Sequence, residues 1–71
     1  MEEKTVNKVL GAYEDAYSAG CRLSLVRAGE VAPGDWDLIK EAYRKAKELQ
    51  SMIKKVMDRN SADFREKLLT H

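Results

Sequence analysis

The sequence is short of the groups that usually hold a small domain together. Cys21 is its only cysteine, so no disulfide forms within the chain. Cys21 and the single histidine, His71, are the only soft metal donors, whereas a structural zinc takes four ligands. One proline and four glycines leave material for one substantial turn. No apolar run approaches the roughly 20 residues that span a bilayer. Met1–Lys8 lacks the apolar stretch of a signal peptide. An excess of one charge is missing too: 13 basic residues face 12 acidic ones, and a net charge of +1 gives no global pull toward nucleic acid or an anionic membrane. These absences predict no metal, no cofactor and no membrane association. A lone cysteine without a leader fits a reducing cytoplasm. At 71 residues one core is marginal. With disulfides and metals removed, oligomerisation or very good helix packing must supply the rest.

What is present is helical. Charged residues make up 35% of the chain and hydrophobic ones 44%, a balance that suits a folded helical protein rather than a disordered one. Ile39, Ala42, Ala46, Leu49, Ile53 and Val56 follow one another at intervals of three and four. Such spacing draws a continuous seam along one side of a helix, and a seam that long must meet another helix, within the chain or in a second copy.

Gly29, Pro33 and Gly34 mark the one break. The chain therefore reads as a helix over about 2–28, a loop over 29–35, a helix over 36–59 and a short helix over 62–69. In the first helix Val6, Val9, Leu10, Tyr13, Ala16, Tyr17, Cys21 and Leu23 share a broad apolar face, with Gly20 at its middle. A glycine there marks a bend or lets another backbone come close. The run Cys21–Arg27 alternates in part like a strand, but a strand without a pairing partner would be isolated, so helix is expected. Asp35 is the expected N-cap of the second helix. Asn60 and Asp63 resemble a capping box opening the third, and Phe64 and Leu68 are its expected anchors.

The predicted fold is all-α: a long antiparallel helical hairpin with a short C-terminal helix, assembling as a dimeric bundle. The apolar face of the first helix is wider than one partner helix covers, and eight C-terminal residues are too few to cover the rest. A second hairpin in a two-fold dimer would do so. Tyr13, Tyr17 and Gly20, with the six residues of the seam, are the expected self-association surface.

A second pattern concerns function. Lys40, Arg44, Lys47, Lys54 and Lys55 lie together opposite the seam, and Trp36 and Tyr43 border them. Such a strip is most often only a solvated helix face. If it has a partner, Trp, Tyr and Arg are favoured anchors of protein interfaces. Basic residues beside aromatics also bind phosphates and stack on bases, but the low net charge favours an acidic protein over nucleic acid. A helix-turn-helix DNA reader fits poorly. Its turn takes three or four residues, and Asp35 and Asp37 would repel phosphate where the recognition helix begins. Catalysis fits worse still, because no base accompanies a nucleophile. The expected function is a small non-enzymatic interaction module, an adaptor, inhibitor or regulator of a larger protein, binding through Trp36, Lys40, Tyr43, Arg44 and Lys47. A nucleic-acid-associated regulator using the same basic face is the alternative.

Overall fold

A computed structural model describes the backbone of residues 1–69 and the side chains of residues 1–65. Three α-helices follow in order: α1 over Glu3–Ser24, α2 over Pro33–Arg59 and α3 over Ser61–Leu69, with a 3-10 turn at Ala28–Glu30 between the first two. No strand occurs among the described residues. α1 and α2 pack against each other as an antiparallel hairpin, as the periodicity predicts.

The helix ends depart from the sequence reading for local reasons. α1 stops at Ser24 rather than near Ala28. The Ser24 hydroxyl donates to the Cys21 carbonyl at 2.6 Å, and the Leu25 and Val26 amides close onto Arg22 and Leu23 at 3.2 Å each. These bonds satisfy carbonyls that a further helical turn would have used. α2 begins at Pro33, earlier than expected, because proline suits the first helical position: its φ is preset and its missing N–H is not needed there. Ala32 is therefore the N-cap, and Asp35 instead places its charge in the first turn, where the helix dipole favours it.

Asn60 ends α2. Its side-chain amide donates to the Val56 carbonyl at 2.8 Å, and its backbone N–H reaches Val56 and Met57 at 3.2 Å. The Asn60 side chain thus closes the helix behind it rather than capping the one ahead. Asp63, expected in a capping box, pairs with the Met1 ammonium at 3.5 Å.

The core sits at one end of the hairpin. Val6 and Leu10 of α1, Met57 of α2 and Phe64 of α3 form one buried cluster, flanked by Val9, Tyr13 and Ile53. Phe64 is only 1% exposed and anchors α3 in this cluster. The side chain of Leu68, the second expected anchor, lies outside those described. The molecule is a rod, 45 Å long and 19 by 16 Å across.

The seam divides between two surfaces. Ile39, Ala46 and Ile53 do face α1, but Ala42, Leu49 and Val56 do not: all three are exposed. Their places toward α1 are taken by Tyr43, Gln50 and Met57. α2 is rotated about its axis by about 50° from the expected register. On α1, Val6, Leu10, Ala16 and Gly20 are buried, whereas Tyr17 and Cys21, placed on the apolar face from sequence, are exposed.

Candidate functional site

α2 presents two surfaces besides the one that packs on α1. The first is the basic and aromatic side. Trp36 and Tyr43 are half-buried rather than standing outside the core. With Leu23, Val26 and Ile39 they line a cleft of about 210 Å³ at the loop end of the hairpin. Their cover thus comes from Leu23 in the last turn of α1 and Val26 just beyond it. The Lys40 ammonium lies 5.9 Å from the centre of the Trp36 ring, and the Lys47 ammonium 5.8 Å from that of Tyr43. Both pairs are one helical turn apart, so the helix itself stacks each cation on its ring. Lys40 also meets Asp37 at 3.5 Å.

Arg44 turns away from this ladder and pairs with Glu41. Lys45 reaches the same carboxylate at 3.6 Å. The hydrogen bond from Arg44 holds the Glu41 carboxyl below its ordinary pKa, with the charges of Arg44 and Lys45 adding to the effect. Glu41 in turn raises the pKa of Arg44. Of the five residues expected to bind a partner, the structure brings together Trp36, Lys40, Tyr43 and Lys47 and leaves Arg44 to a neighbouring acid.

The second surface is apolar. Leu38, Ala42, Leu49, Met52 and Val56 run along the outside of α2, and the four large side chains are between 40% and 69% exposed. Their spacing of four, seven, three and four keeps them on one line, with Lys45 filling the gap. This line lies on the opposite side of the hairpin from α3. The cleft beside α3 is lined by Tyr13, Lys54, Met57, Asp58, Ser61, Phe64 and Arg65, and no residue of the apolar line borders it. Helical spacing puts the exposed small residues Thr5, Ala12 and Ala19 of α1 on the same open side. Ala42, Leu49 and Val56 were legible as seam residues. Leu38 and Met52, which complete the line, fell outside the chosen register.

On α1, Tyr17 and Cys21 sit one turn apart on the surface. The hydrogen bond with Cys21, followed by the electrostatic interaction with the same side chain, raises the Tyr17 pKa. Gly20 faces Ala46 and Lys47: a Cβ built on it would lie 4.0 Å from the Ala46 Cβ and 3.9 Å from the Lys47 Cδ. The helices thus come close at this point without needing a bare backbone. Among the described residues, no group of three or more His, Cys, Asp or Glu side chains could hold a metal, and no helix is long and apolar enough to cross a membrane. His71 lies outside the described residues.

No family model, no curated protein and no solved structure matches the chain.

Proposed function

We propose that this protein is a small, non-enzymatic helical interaction module that self-associates and holds a larger protein as an adaptor, inhibitor or regulator. α2 is its contact element, and the single free cysteine suits a cytoplasmic setting. One observation carries the reading: among the described residues five apolar side chains are buried, while four large ones stand exposed in a single line on α2. Single exposed hydrophobics are ordinary, but a contiguous apolar line on a monomer marks a surface used for contact.

The aromatic–basic ladder of Trp36, Lys40, Tyr43 and Lys47 is the surface proposed for the larger partner. Cations already stacked on rings present positive charge with little freedom left to lose, which suits an acidic protein surface. Asp37 and Asp58 interrupt the same side of α2 and weaken the case for a phosphate backbone.

Affinity capture from the source cells, with half of each sample treated with nuclease, tests this. The expected result is a protein retained with or without nuclease, and lost from the variant carrying Lys40→Glu and Lys47→Glu. Retention that disappears with nuclease and weakens steeply with salt would transfer the reading to nucleic acid.

A further inference from the structure

The outer line of α2 has a shape, a size and a charge pattern that fit one occupant. We infer that it is the α2 of a second copy of this chain, packed antiparallel, with Leu49 of one copy against Met52 of the partner subunit and Glu48 against Lys55 of the partner subunit. The inference rests on the reading of α2 as the contact element and names what covers its apolar side.

Size comes first. The chain exposes 5606 Å². A folded monomer of 8.1 kDa is expected to expose about 4,500 Å². The radius of gyration is 15.1 Å, against about 11 Å for a compact domain of this length. The surplus is thus roughly 1,100 Å². A stable interface of standard size takes about 800 Å² from each partner. A second rod laid along the first therefore brings the chain to ordinary surface economy, and two hairpins joined in this way make a four-helix bundle.

The charges then fix the occupant and its direction. Along the rim of the apolar line farther from α1, Glu41 and Glu48 occupy the N-terminal half and Lys55 and Arg59 the C-terminal half. In parallel, two such rims never meet: each lies along the partner's rim nearer α1, where Ile39, Ala46 and Ile53 stand, and its charges stay unpaired. In antiparallel the two rims set opposite charges beside each other, so the surface complements itself. Glu41 is already engaged by Arg44 and Lys45. Glu48 and Lys55 belong to no ion pair among the described residues, and at seven residues apart they are too distant to pair within one helix.

The register follows from the heptad geometry. In antiparallel helices a residues meet d residues, and the rim position before each a meets its own equivalent. With Ala42, Leu49 and Val56 at a, and Lys45, Met52 and Arg59 at d, placing Leu49 on Met52 brings Glu48 to Lys55 twice, once on each side of the two-fold axis. It also sets the stem of Lys45 along Val56 while its ammonium stays with Glu41 at the rim. On the rim nearer α1, the small Ala46 falls opposite the larger Ile53. The exposed small residues Ala12 and Ala19 of α1 leave room for the second hairpin to approach.

Sedimentation equilibrium on the full chain, with far-UV circular dichroism as the control for folding, tests the proposal. The wild type is expected as a dimer of the 8.1 kDa chain at micromolar concentration. Leu49→Glu should weaken the dimer at least about tenfold with helicity kept, since Leu49 is already half exposed in the single chain. Glu48→Lys and Lys55→Glu should each weaken it by roughly three- to tenfold, and combining both in one chain should restore it to within about twofold. A wild type that stays a single 8.1 kDa species at high micromolar concentration overturns the proposal and leaves the line to a different protein. A dimer that withstands Leu49→Glu overturns the chosen face. A double variant as weak as the sum of its two changes overturns the antiparallel register. A monomer that still captures a larger partner defeats this inference alone, and a dimer that captures none defeats the partner reading alone.

Discussion

Gln50 of α2 donates its side-chain amide to the Tyr13 hydroxyl of α1 at 3.2 Å, midway along the hairpin. The pair bridges positions 37 residues apart, and both residues are half-buried. A glutamine in an otherwise apolar line is tolerated there because the facing helix offers an oxygen. The bond ties one point of α1 to one point of α2, which resists sliding along an interface of similar apolar residues.

Tyr13→Phe should therefore cost roughly 0.5–1.5 kcal/mol, because the Gln50 amide loses its partner while still partly shielded from water. Adding Gln50→Leu should recover most of that loss, since both polar groups are then gone. Urea denaturation of the two single variants and the double variant gives the coupling, and full additivity would mean that the bond contributes nothing.

Truncations in α2 and α3 should rank by the observed burial rather than by the sequence seam. Phe64→Ala should cost about 3–5 kcal/mol, and Met57→Ala about 2–5 kcal/mol, because each leaves a hole in the buried cluster. Leu49→Ala, which the sequence seam would rank with them, should cost less than about 1 kcal/mol when measured at a dilution where the chain is monomeric. Thermal melts at that dilution check the order, and an equal loss at Leu49 would mean that it faces α1 after all.

Glycine replacements should stabilise. Gly11 has open space where a Cβ would go, and Gly20 has ordinary contact distances to Ala46 and Lys47. Gly11→Ala and Gly20→Ala should each add roughly 0.5–1 kcal/mol through helix propensity. Gly20→Leu should instead force the hairpin apart. Melting temperatures that fall for Gly20→Ala would show that the helices approach more closely there than these distances indicate.

The Glu41 cluster predicts an acid-sensitive segment. Its carboxyl pKa in the folded chain lies below the ordinary 4.5. The sign follows directly: the unfolded chain binds the proton more readily, so the contribution to stability is complete above pH 4.5 and is lost as the pH falls through the folded value. Glu41 is solvent-exposed in its pair, so the effect is small and salt-sensitive. Glu41→Gln should flatten the decline in stability on acidification below pH 4.5. Chemical denaturation across that range checks it, and an unchanged slope would remove Glu41 from the account.

Much of the fold was legible because helices advertise themselves through local spacing. The presence of one break around Gly29, the two long helices, the short third helix and Phe64 as its anchor all follow from residues near one another in sequence. The helix ends were less legible. Whether Ser24 closes α1, or whether Asn60 bonds backward to Val56, depends on one rotamer that composition does not fix. The proposed partner surface was legible as a pairing of Trp36 and Tyr43 with Lys40 and Lys47, but not in its burial. The residues that half-bury the two rings, Leu23 and Val26, belong to the far side of the turn.

The sequence by itself determined that α2 carries an apolar line with a period near 3.5, and that this line contains Ile39, Ala46 and Ile53. Those three belong equally to two overlapping lines. One continues through Ala42, Leu49 and Val56, the other through Tyr43, Gln50 and Met57. Hydropathy prefers the first, because it holds no polar residue. Only the tertiary structure chose the second. Tyr13 supplies the hydrogen bond that makes Gln50 acceptable, and Phe64, carried back by α3, completes the cluster around Met57. Periodicity tells a helix that it must bury a side. Which of two adjacent sides it buries depends on what the facing helix offers, and that is absent from the helix's own sequence.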